Sequence, residues 1–156
     1  GGSHLDHVVH YADRIVLPHR PRAVVLYAGD NDLSGRSGKT PERVAADFDR
    51  FAARLHAELP DVRIYYLAIK PSRLRLGRWP AMRQANRAIE ARCAADPRLV
   101  YLDVATPMLG PDGAPREELF AFDGLHLNEA GYALWTRIVA PRLRADWEAG
   151  LAALPR

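Results

Sequence analysis

The chain is poor in the features that announce a special environment. Its single cysteine, Cys93, excludes an internal disulfide. No apolar run reaches the length needed to span a membrane. Lysine and arginine total 22 against 19 acidic residues, for a net charge of +3. The two signs are interspersed, and no basic stripe is interleaved with aromatics, which argues against nucleic acid as a partner. Internal repeats and linkers are missing, and helical patterning begins at once, without a methionine or polar lead-in. The chain is therefore expected to be a segment whose beginning lies elsewhere, and the compartment is not legible. Also missing is an obvious serine to act as a nucleophile.

What remains is the composition of an ordinary globular domain. The sequence has 156 residues, 48% hydrophobic and 26% charged, enough for one domain over residues 1–156 with a core of its own. Leu5, Val8, Val9, Ala12, Ile15 and Val16 recur at helical spacing, and Pro18 and Pro21 end that helix. Residues 23–28 form a continuous apolar run ending at Gly29, which predicts a strand covered on both faces, as in a parallel sheet. Thr40-Pro41 opens a second helix, with threonine as N-cap and proline in the first turn. Strands follow over 62–68 and 99–104, separated by a helix after Trp79-Pro80, and Asn128 caps a final helix. This alternation predicts an α/β three-layer sandwich around a parallel sheet. Ligands of such sheets bind beyond the carboxyl ends of the strands, where Gly29–Asp32, Lys70–Ser72 and the loop to His126 would gather.

Two segments there carry chemistry. In Asp123-Gly124-Leu125-His126 an acid and a histidine stand three residues apart, just before a capped helix. A carboxylate on one imidazole nitrogen fixes the tautomer and leaves the other nitrogen as an oriented general base. In Gly29-Asp30-Asn31-Asp32 the glycine permits a sharp exit from the strand, and the Asn31 amide could donate to an oxyanion. Ordinary turn chemistry would also place asparagine and aspartate there, with Asp30 and Asp32 merely bonding or capping the turn. Taken together, the two segments point to acyl transfer.

These blocks resemble those of the SGNH hydrolases, the GDSL-type esterases, lipases and acylhydrolases. Gly29-Asp30-Asn31-Asp32 is similar to the family's GxND block, Asp123–His126 to its DxxH block, and Gly1-Gly2-Ser3 to its glycine block. The ordered set covers nearly the whole chain. The resemblance implies a flavodoxin-like SGNH fold whose first strand or strands are missing from this chain. It implies Gly2 and Asn31 as oxyanion donors and Asp123 and His126 as members of a catalytic triad. The implied activity is serine ester hydrolysis on a small ester, with no metal or organic cofactor. Acetylated carbohydrate, lipid ester and thioester all fit.

The family's nucleophile lies on a strand upstream of the glycine block, where this sequence begins. Ser3 sits too close to Asn31 to replace it and reads as a helix N-cap; Ser72 reads as a turn residue. The nucleophile is thus expected upstream of residue 1. The same upstream segment, or a second copy of the chain, is expected to cover the open edge of the 23–28 strand. The competing reading is a non-catalytic binding or scaffold module that keeps the fold without the chemistry.

Three other patterns are weaker. Gly35-Arg36-Ser37-Gly38-Lys39-Thr40 lies between a strand and a helix, but a phosphate-binding loop needs glycine where Leu33 stands. Lys39 then reads as a solvated loop residue. His4, His7 and His10 recur beside Asp6 at a step of three, which turns them progressively away from one ion, so no metal is assigned. Arg73, Arg75, Arg78 and Trp79 form a loop near the expected site, either solvated or suited to an anionic or sugar-bearing substrate.

Overall fold

The structure is a computed structural model and describes residues 2–150. Helix α1 (Leu5–Ile15) leads through a turn of 3-10 helix to strand β1 (Ala23–Leu26). Helix α2 (Pro41–Glu58), strand β2 (Arg63–Leu67), helix α3 (Trp79–Ala95) and strand β3 (Leu99–Leu102) follow, and helix α4 (Glu129–Glu148) closes the order. The strands pair in parallel in the order β1-β2-β3, with Ala23 opposite Arg63 and Ile64 opposite Leu99. Each strand ends one or two residues earlier than its apolar run.

Strand alternation divides the core into two layers. On one face Leu26, Ile64 and Tyr66 pack with Leu5 and Ala12 of α1, Phe48, Phe51 and Leu55 of α2, and Met82 and Ile89 of α3. On the other, Tyr65, Leu67, Val100 and Leu102 pack against Trp135, Ile138, Val139 and Leu143 of α4. The α/β/α sandwich expected from the sequence is present. Phe48 and Phe51 are fully buried, each contributing roughly 2–3 kcal/mol of transfer free energy.

Helix ends follow local chemistry at two of the three expected caps. Thr40 Oγ1 accepts from Arg43 N at 3.3 Å, and Asn128 Oδ1 accepts from Gly131 N at 3.1 Å. The third expectation is corrected: His4, not Ser3, is the N-cap of α1, and its N–H donates to His7 Nδ1 at 3.2 Å. What anchors that helix is tertiary. Leu5 N donates to both carboxylate oxygens of Asp32, at 3.0 and 3.1 Å.

Among the described residues β1 is hydrogen-bonded on one side alone, to β2. Val25, on the α4 side of this strand, is 45% exposed. Helix α4 lies mainly over β2 and β3, so the apolar surface of β1 is left half covered. No helix among the described residues is long and apolar enough to cross a membrane.

Candidate active site

Gly29 sets the exit from β1. Its φ is +111°, and a Cβ built on it would stand 2.6 Å from Ile69 Cδ1 and 3.2 Å from Tyr66 Oη. Only glycine fits the conformation and the space. The three residues after it point to three different tasks. Asp32 turns inward to α1 and Lys39. Asp30 accepts from Lys70 Nζ at 3.1 Å and Arg75 Nη1 at 2.5 Å, with Tyr27 Oη at 3.3 Å. Asn31 lies between them with its side chain in the cleft. Its Oδ1 accepts from Arg75 Nη2 at 3.0 Å and its Nδ2 donates to the Ser3 carbonyl at 3.1 Å.

The Asp123 loop is built by an Asx turn. One carboxylate oxygen accepts from the N–H groups of Leu125 and His126, both at 2.9 Å, and Gly124 takes a φ of +64°. The other oxygen lies 2.5 Å from His126 Nδ1. The bond to the His126 ring, reinforced by the two backbone donors, holds the Asp123 carboxyl well below the usual carboxylate range. With Nδ1 engaged, Nε2 is the nitrogen left for chemistry, and it has no hydrogen-bond partner among the described residues. Asn128 steadies the loop from the far side, donating to the carbonyls of Glu118 and Phe120.

The sequence-expected residues meet. Gly2, Asn31 and His126 line one cavity of about 200 Å³, with Tyr27, Lys70, Tyr132 and Trp135 among its other walls. Gly2, Asn31 and Arg75 also border a larger recess of about 520 Å³ with His4, Ser34 and Arg36. Gly2 has a φ of +79° and is exposed at this junction. Asp123 stands behind His126 rather than in either cavity wall.

The serines near the site are engaged elsewhere or buried. Ser72 is 1% exposed, a buried hydroxyl without a partner rather than an ordinary turn residue. Ser34 Oγ donates to the Asn31 carbonyl at 2.8 Å, and Ser37 Oγ donates to the Asp32 carbonyl. Ser3 meets the site through its backbone carbonyl. Among the described residues none of these side chains hydrogen-bonds His126.

Other expectations change. Lys39 is no solvated loop residue: its side chain is 12% exposed and its Nζ contacts Asp6, Asp32 and Asp47 at 2.7, 2.8 and 3.1 Å. His4, Asp6 and His7 do bring ligand atoms within 4.8 Å of one another, whereas His10 stays outside and packs edge-on against Tyr11. Asp6 is already paired with Lys39, and His7 Nδ1 accepts from His4 N. The arginine loop divides: Arg73 pairs with Glu117 at 3.3 Å, while Arg75 turns into the site.

Three contributors have roles the sequence reading did not assign, although it placed Lys70 and Arg75 near the site. Lys70 is buried, with its ammonium pushed down by burial against the opposing pull of Asp30. Asn86 of α3 clamps the backbone of Ile69 through both amide atoms, at 2.8 and 2.9 Å, and so fixes the β2 exit that carries Lys70. Arg75 is the third. A lysine directly after the apolar run Ala68-Ile69 was a usable signal; the partners of Asn86 and Arg75 were not encoded locally.

A parallel α/β sheet that collects an acid–histidine pair and a side-chain amide beyond its strand ends has the layout of the SGNH hydrolases. The chain belongs to the GDSL-like lipase/acylhydrolase family, whose sequence profile matches residues 3–134. No curated protein matches the sequence. Among solved structures, a GDSL-like lipase from Bacteroides thetaiotaomicron superposes with a TM-score of 0.81 at 18% identity, over 94% of this chain and 73% of that one. A carbohydrate esterase family 3 protein from Talaromyces cellulolyticus gives 0.77 at 16% identity, over 96% and 70%. The lipase/acylhydrolase from Enterococcus faecalis gives 0.75 at 19% identity, over 93% and 72%. At these identities the likeness is one of fold.

Proposed function

We propose that this chain supplies the base, the acid and the oxyanion donors of a serine ester hydrolase, with the nucleophilic serine on a segment upstream of residue 1. The observation that carries the reading is the Asp123–His126 pair, with Nδ1 bound and the ring lining a cavity shared with Asn31 and Gly2. The His126 side chain is 74% exposed. A contact so open to water contributes little to stability.

In this mechanism the serine oxygen attacks the ester carbonyl carbon and His126 Nε2 takes its proton. Asp123 stabilises the imidazolium, while the Gly2 N–H, the Asn31 amide and the nucleophile's own N–H hold the oxyanion. Collapse breaks the bond to the alcohol oxygen, which receives the proton from His126. Water then adds to the acyl-enzyme by the same route, releasing the acid and restoring the serine. The substrate is a small ester.

The segment bearing the serine would also cover the free edge of β1; a second copy of the chain is the other candidate for that edge. A parallel strand there would pair the unbonded backbone and shield Val25.

The test is direct. The 156-residue chain should hydrolyse short-chain nitrophenyl esters no faster than buffer, and extension upstream through a serine-bearing strand should produce turnover. Robust turnover by the unextended chain, lost on Ser3→Ala, would overturn the assignment. The edge is tested separately by size-exclusion chromatography with amide exchange. A stable monomer with slow exchange throughout 23–28 would show that β1 needs no partner.

A further inference from the structure

Asn31 can serve as a donor only if its amide is turned the right way, and an amide can sit two ways round with almost the same shape. Its hydrogen-bond partners decide. Arg75 Nη2 presents a donor to one end at 3.0 Å, and the Ser3 carbonyl presents an acceptor to the other at 3.1 Å. Flipping the amide would set N–H against guanidinium N–H and oxygen against oxygen. We infer that Arg75 is a positioning residue: it locks the Asn31 amide with Nδ2 at the cleft and polarises its carbonyl, so that the N–H becomes a stronger oxyanion donor. The inference rests on the reading of Asn31 proposed above.

The guanidinium is itself well held. Its Nη1 donates to Asp30 at 2.5 Å, and that carboxylate is fixed from its other oxygen by buried Lys70. Arg75 therefore spans Asp30 and Asn31 with a fork that lysine cannot reproduce. Its side chain is 16% exposed, so this is a desolvated contact rather than a surface pairing. The segment carrying it is tied to the other half of the site as well. Leu74 N donates to the Gly124 carbonyl at 3.1 Å, one residue beyond Asp123. A single short stretch, Leu74-Arg75, thus links the amide at the end of β1 to the loop that bears His126. The unpartnered hydrogen of Asn31 Nδ2 is what the lock makes available, since one hydrogen is spent on Ser3.

The test has a structural arm and a kinetic arm. In the isotope-labelled 156-residue chain, the two Asn31 side-chain amide protons, identified by their loss in Asn31→Ala, should be resolved and slow to exchange with water. Arg75→Ala should move both signals and speed their exchange at least about tenfold. Arg75→Lys, which keeps the charge near Asp30, should preserve the urea midpoint yet still release the amide. In the upstream-extended chain Arg75→Lys should lower kcat about tenfold or more with KM within about threefold, as expected for a displaced transition-state donor. Combined with Asn31→Ala it should add no further loss, because both changes remove one donor. Unchanged Asn31 signals in Arg75→Lys, or fully additive kinetic losses, would overturn the inference. If the extended chain shows no ester turnover at all, the proposed function fails by itself, and the amide signals alone decide the role of Arg75.

Discussion

Two charged clusters stand at the strand ends of this molecule and obey opposite rules. Around Lys39 the carboxylates of Asp32 and Asp47 are wholly buried, and the one ammonium serves both together with Asp6. Around His126 the ring and its carboxylate are open to solvent, bound to each other and to the turn that carries them. The first cluster joins α1, the β1 exit and α2 into one body. The second holds a nitrogen free beside a cavity. Acidic and basic residues look alike in a sequence; burial and the remaining partners separate the set that holds the fold from the pair left open to solvent.

That contrast can be broken most sharply at His126. His126→Ala in the upstream-extended chain should cut kcat about a millionfold, since a base removed from a nucleophile–base–acid set leaves oxyanion and binding contributions alone. Its urea midpoint should not move. A shifted midpoint with activity retained would exchange the two clusters' roles.

Lys39→Met should do the reverse. It strands two buried carboxylates, leaving Asp32 to the Leu5 amide and Asp47 to Arg43 and Arg50. Removing one partner from such a buried set costs about 3 kcal/mol, read from urea denaturation. The amide exchange of α1 should rise in step, because Asp32 anchors its first turn.

A subtler expectation concerns pH. Burial raises the Asp47 carboxyl, but hydrogen bonds from Arg50, Lys39 and Arg43 outweigh it and leave the group below its ordinary value. A depressed acid contributes stability above the unfolded value and loses it as pH falls through the folded one. Burial lowers the Lys39 ammonium, but Asp32, Asp6 and Asp47 outweigh that and raise it. A raised base contributes below its unfolded value and loses that as pH rises through the folded one. The urea midpoint should therefore be flat between about pH 4 and 10 with respect to this cluster and fall on either side. Lys39→Met should remove the alkaline limb.

The smallest effects belong to the caps. Asn128→Ala removes the cap of α4 and two bonds to the loop ahead of Asp123, and should cost about 2 kcal/mol. Thr40→Ala loses one bond of 3.3 Å at the start of α2 and should cost about 0.5–1 kcal/mol. If Asn128→Ala also reduces turnover in the extended chain while Thr40→Ala does not, the cap of α4 supports the site as well as the helix.

The sequence by itself determined the elements whose causes are local. Apolar runs marked the three strands, Thr40 and Asn128 marked two helix starts, Gly29 marked the exit from β1, and the spacing of Asp123 and His126 sufficed for their bond, since an Asx turn needs nothing from elsewhere. The alternation of helix and strand likewise made the layered sandwich legible. Tertiary structure decided what depends on chain segments far apart. Lys39 became a buried hub because α1 packs on α2 and brings Asp6 to meet Asp32 and Asp47, which no loop composition reveals. Ser3 lost the cap to His4 because Asp32 takes the first-turn amide of α1. Arg75 faces inward because Asp30 and Asn31 wait across the cleft with two acceptors at the spacing of a guanidinium fork. A local hydrogen bond is fixed by a few dihedral angles and can be read along the chain; a buried charge is stable only where folding supplies its partners, and those partners are known once the strands are in register.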